Sequence, residues 1–91
     1  MADAFRMTRL GDLLNDATLE ALFQDAQGRL QRGEGLSDIQ KGLVTILEPH
    51  RASLLANGVL VEYLAWVLAM YVGRGGEIKG VGEMSFHPSQ N

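Results

Sequence analysis

Nucleophilic catalysis needs a Ser, Thr or Cys within reach of a general base, usually His. This chain has no cysteine and two histidines, His50 and His87. His87 falls in the terminal segment. Glu48 and His50 stand two apart around Pro49, which is too sparse for a metal site and has no further ligand at a recognised spacing. The run GRGGEIKGVG at positions 73–82 is rich in glycine, but it neither follows a strand nor leads into a helix carrying Lys and Ser or Thr. It is therefore not a phosphate-binding loop. The expectation is a protein that is not an enzyme, with no catalytic residue, no metal ligand and no cofactor.

Binding chemistry has more to work with. Between Ala52 and Val72 the only charge is Glu62. Gly58, Glu62, Ala65, Ala69 and Gly73 recur at helical spacing and would share one face, where small side chains let a second backbone approach. On one reading Glu62 is a buried recognition group that pairs with an Arg of this chain or of a partner and sets register. On the other it lies at the edge of the bundle and reaches water. Tyr63, Trp66 and Tyr71 belong to residue types that dominate interface hot spots, yet the same types fill small cores. The core role is the expectation, with Trp66 one position from the small-residue face. In the tail, Ile78, Val81, Met84 and Phe86 are the apolar positions that could dock, with Ile78 and Phe86 the interface candidates. The interface candidates are thus Glu62, Trp66, Ala65, Ala69, Tyr63, Tyr71, Ile78 and Phe86.

Size and charge narrow the partner. Ninety-one residues make one domain, and 46% of them are hydrophobic. Without cysteine there is no disulfide framework, so stability has to come from apolar packing, with self-association a natural supplement. The net charge is −3, and the six arginines are scattered, which argues against a nucleic-acid partner. The first twelve residues contain no apolar core of signal-peptide length, so an intracellular, cytoplasmic location is expected. Residues 52–72 match the length of a bilayer span, but Asn57 and Gly58 interrupt them and Glu62 would be costly at mid-bilayer. A buried core helix is the preferred reading of this stretch, and a small membrane protein with residues 52–72 in the bilayer is the alternative.

The elements that must position these groups read as helices. Residues 4–14 carry a weak helical pattern. Leu19, Leu22, Phe23, Ala26 and Leu30 form a stripe over 17–32, with Asp16 or Thr18 as cap and Gly33 and Gly35 as stop. Ser37 and Gln40 have capping-box spacing ahead of a helix over 38–47. Pro49 should break it near Glu48 and open the next helical turn. Residues 59–72 are apolar almost all round and should form the central helix. The expected fold is an all-α bundle of four to five short helices, a helical domain over 1–75 and an extended glycine-rich tail over 76–91. Its expected work is non-catalytic protein–protein interaction, as an adaptor, inhibitor, regulatory subunit or homo-oligomeric component of the kind that phages and mobile elements encode.

Overall fold

The computed structural model describes residues 8–83, 85 and 86. Within them the chain is a small all-α bundle. Strand β1 (Thr8–Arg9) leads into a single turn, α1 (Leu10–Leu13). The longer helices follow as α2 (Asp16–Gln31), α3 (Leu36–Leu47), α4 (Arg51–Ala56), α5 (Val61–Gly73) and α6 (Ile78–Glu83), and strand β2 (Ser85–Phe86) closes the described part. β2 pairs antiparallel with β1, with Thr8 opposite Phe86 and Arg9 opposite Ser85. Two residues per strand are too few to leave an alternation in the sequence.

The glycine stops behave as backbone chemistry requires. Gly33, Gly58 and Gly75 have φ values of 82°, 78° and 87°, and each closes a helix in the same way. After α5, Gly75 N–H donates to Val72 C=O and Gly76 N–H to Tyr71 C=O, the paired bonds of a Schellman motif. Pro49 sits in a 3₁₀ turn, Glu48–His50, between α3 and α4, as its missing donor and fixed φ dictate. The break at Asn57 and Gly58 also divides residues 52–72 into two helices, and the chain direction turns by 117° between Leu36–Ala56 and Val61–Gly73. No single described helix is long and apolar enough to cross a membrane.

Two helix starts differ from the sequence reading. α2 is capped by Asn15, whose side chain accepts from Thr18 N–H at 2.8 Å, and not by Asp16 or Thr18. α3 begins at Leu36 behind Gly35, so Ser37 is already helical and the capping box with Gln40 does not form. Gln40 instead reaches across to α5 and donates to Glu62 C=O at 2.9 Å, tying the two helices together.

The core lies between α2, α3 and α5, and α5 packs chiefly against α3. Val61, Leu64, Ala65, Leu68, Ala69 and Val72 are buried, one continuous stripe along α5. Opposite them Ile39, Leu43 and Leu47 of α3 are fully buried. Gly42 of α3 is buried where α2 passes. A Cβ there would strike Arg29, whose guanidinium lies over the glycine and bonds Asp25 at 2.9 Å and Glu34 at 3.1 Å.

The tail is the main correction to the sequence reading. Residues 78–83 are helical, not extended, and pack against α1 and α2 with Val81 buried. The glycines that lower helix propensity are also what permits this packing. A Cβ on Gly11 of α1 would come within 3.0 Å of Gly82 C=O, so the two backbones touch. At Gly76 and Gly80 a Cβ would collide with the ring and hydroxyl of Tyr71. The Tyr71 hydroxyl donates to Glu77 C=O at 2.8 Å and accepts from Glu77 N–H at 3.1 Å, so it clasps the turn ahead of α6. Close tertiary packing has overridden local preference.

Candidate functional site

α5 is apolar on both sides, and its two sides have different surroundings. Its small residues, Ala65 and Ala69, are fully buried within the chain's own bundle. The close helix approach that the Gly58–Gly73 pattern foretold is therefore satisfied by α3, and these two alanines are not available to another molecule. This corrects their candidacy as interface residues. The physical reason is that the apolar residues flanking them, Val61, Leu64, Leu68 and Val72, all point the same way and carry the alanines inward.

The large side chains on the opposite side are only partly covered. Leu60 and Tyr63 are each 58% exposed and Trp66 is 36% exposed, while Val67 and Met70 are half-buried. Tyr63 and Trp66 are thus not core residues, contrary to expectation. Their positions place them across α5 from Val61, Leu64, Ala65, Leu68, Ala69 and Val72, the side that is buried in the bundle. At 100° per residue, Tyr63, Trp66, Val67 and Met70 fall on one side of α5, and Leu60 immediately precedes the helix. Tyr71 departs from the group, half-buried and committed to the tail. Ile78, on α6, is 39% exposed. The side chain of Phe86 lies outside the described residues.

Glu62 stands at the rim of this face, in the first turn of α5. It is exposed, as the water-edge alternative had it, and it is paired with an Arg of its own chain. Arg51 at the start of α4 donates Nη1 and Nη2 to the two oxygens of Glu62 at 3.1 and 2.8 Å. The same guanidinium grips Glu48 from the other side, Nε and Nη2 each at 2.9 Å. Fork geometry of this kind is what guanidinium offers and ammonium does not. The cluster staples the 3₁₀ turn, α4 and the start of α5, and it fixes the orientation of α5.

The hydrogen bonds from Arg51 hold the carboxyls of Glu48 and Glu62 below the usual carboxylate range, and the same pairing raises Arg51. The sign follows from linkage. With folded values below the ordinary 4.5, the two carboxylates favour the folded state above about pH 4.5, and that contribution fades as acid titrates them. Unfolding midpoints measured from pH 7 to pH 3 should fall on the acid side, and Glu62→Gln should flatten that fall. Because the cluster is exposed, 1 M salt should weaken it at neutral pH. A Glu62→Gln profile identical to wild type would show that the pairing contributes nothing in solution.

Among the described residues no group of three or more His, Asp or Glu side chains is placed to hold a metal ion. Comparison with known protein families, with curated proteins and with solved structures finds no match. Sequence reasoning gave Leu60 no role. The signal was present in the lack of polar residues all round α5: in a bundle this thin one side of such a helix has to face outward, and Leu60 opens that side.

Proposed function

We propose that this chain is a small non-catalytic protein-interaction module that docks through the outer face of α5. The observation that carries the reading is Tyr63 on α5 and Leu60 just before it, both more than half exposed beside a helix whose opposite side is completely buried. Scattered apolar residues on a surface mean little, but a contiguous apolar face framed by polar groups marks a docking surface. Here the frame is the Arg51 cluster at one end and Arg74 at the other. Tyr and Trp, the residue types richest in interface energy, sit in the middle of that face. An adaptor, an inhibitor and a homo-oligomeric component would all use such a surface in the same way. The net charge of −3, with Glu48 and Glu62 beside the face, opposes attraction to an anionic membrane surface.

Trp66 is the only tryptophan and therefore reports on this face alone. In the dilute isolated chain its emission should be red-shifted and readily quenched by acrylamide, and binding should shift it to the blue. The functional test is capture from native lysate with tagged wild type and with Tyr63→Glu. The expected result is a specific binder retained by wild type and lost with the variant, whose circular dichroism remains that of wild type. A binder retained equally by both would overturn the assignment of this face, as would blue-shifted, unquenchable Trp66 emission at nanomolar concentration.

A further inference from the structure

We infer that the occupant of the outer face of α5 is the same face of a second copy of this chain, with the two helices antiparallel about a two-fold axis between Trp66 and Val67. The inference rests on the docking role just proposed and names its partner. Charge is the first argument. From Leu60 to Met70 the outer face carries no ionisable group except the Tyr63 phenol, and Glu62 at its rim is already engaged by Arg51. An uncharged face fits an uncharged face, and the outer side of α5 is one. The two ends differ in sign: the N-terminal end has Glu48 and Glu62 against one Arg51, a net negative cluster, and the C-terminal end has Arg74, which makes no ion pair with a described residue. Antiparallel pairing sets each negative end beside the partner's positive end, and it also opposes the helix dipoles.

Side-chain size follows the same symmetry. With the axis between Trp66 and Val67, bulky Trp66 meets Val67 of the second copy and Tyr63 meets Met70, while Leu60, just ahead of the helix, lies towards the partner's C-terminal end. Large meets small at the first step, and the second places an aromatic ring against a thioether, a favourable contact. Because the axis is two-fold, each pairing occurs twice, as an isologous interface requires.

The area sets the strength. Each copy offers on the order of 400 Å² of apolar surface, taking the exposed fractions of side chains that bury about 150–250 Å² when large. A standard interface uses about 800 Å² per partner. The dimer is therefore a weak, reversible one, with dissociation in the micromolar to millimolar range.

A chain without cysteine makes the test clean. Single-cysteine variants of the full chain, Val67→Cys and Leu60→Cys, would be oxidised with copper phenanthroline at 200 µM and run on non-reducing gels, beside sedimentation equilibrium of wild type and Tyr63→Glu. Antiparallel pairing puts the two copies of position 67 next to the axis, while two copies of position 60 lie about 20 Å apart at 1.5 Å per residue. The expected result is at least tenfold faster cross-linking for Val67→Cys than for Leu60→Cys. Wild type should move from monomer towards dimer across roughly 10 µM to 1 mM, and Tyr63→Glu should stay monomeric with its circular dichroism unchanged. Equal cross-linking at 60 and 67 would overturn the antiparallel arrangement, and a dimer that survives Tyr63→Glu would overturn the face. Wild type monomeric throughout overturns the second copy as occupant. In that case loss of a lysate binder by Tyr63→Glu leaves the docking role standing with another partner, and no loss removes both.

Discussion

Truncating Leu64 to alanine should lower the unfolding free energy by about 3 kcal/mol, within the 2–5 kcal/mol typical of buried leucines. Leu64 is fully buried in the middle of the inner stripe of α5, in the same apolar cluster as Leu43 and Leu47 of α3. Removing its isobutyl group loses the transfer free energy of the deleted carbons. It also leaves a void that α3 cannot follow inward, because Gln40 to Glu62 and the Arg51 cluster pin the neighbouring backbone. Domains of this size are stable by only about 5–15 kcal/mol, so the loss is a large share of the total. Urea unfolding followed by circular dichroism reads it directly, with Leu60→Ala, just ahead of the same helix, as the exposed control. Leu60→Ala should change stability by less than about 0.5 kcal/mol under conditions where the chain is monomeric. A loss under 1 kcal/mol for Leu64→Ala would mean that the inner stripe is not the core.

Gly80→Ala ranks second, and its expected sign runs against helix propensity. In an isolated helix the change would stabilise by about 1 kcal/mol. Here the added methyl meets the Tyr71 hydroxyl, which is held by both the carbonyl and the amide of Glu77 and has no slack. Overpacking of this kind costs about 1–3 kcal/mol, so a net loss of about 1–2 kcal/mol is expected. Tyr71→Phe, which removes the hydroxyl and both bonds, should lose a comparable amount. The decisive measurement is the double-mutant cycle: with Tyr71→Ala in place the obstacle is gone, and Gly80→Ala should become neutral or mildly stabilising. Additive losses would show that the Tyr71 clasp does not hold the tail.

These two sites also show where the sequence was legible and where it was not. Pro49, Gly33 and Gly58 act through their own backbone geometry, so their effects were readable from residue type alone. The helices over 17–32, 38–47 and 59–72 were readable for the same local reason, with boundaries shifted by one or two residues. The tail was not. Gly76, Gly80 and Gly82 look like a flexible run until Tyr71 and Gly11 are placed beside them; Gly11 comes from the far end of the chain, and Tyr71, five and nine positions from Gly76 and Gly80, reaches them only because the chain turns back after α5. Ser37 and Gln40 have the spacing of a cap, but Gln40 had a better partner on α5, twenty-two positions away.

The same distinction governs α5. Its composition showed that it was too apolar to be an ordinary surface helix, but not which side would be covered. Ala65 and Ala69 lie on the covered side together with Val61, Leu64, Leu68 and Val72. Tyr63 and Trp66, the more obvious core candidates by size, were left outside. Glu62 was correctly paired with an Arg but wrongly buried on one of its two readings. The loop at Asn57 and Gly58 brings Arg51 back beside it, at a sequence separation of eleven that no helical period would suggest.

One side of α5 builds the fold, and the other, the proposed docking face, is surplus to it. The most direct test is urea unfolding of Tyr63→Glu at low micromolar concentration, compared with Leu64→Ala one residue away. The unfolding free energy of Tyr63→Glu should lie within about 0.5 kcal/mol of wild type, as for an exposed position. A loss as large as that of Leu64→Ala would place Tyr63 in the core and leave no free face on α5.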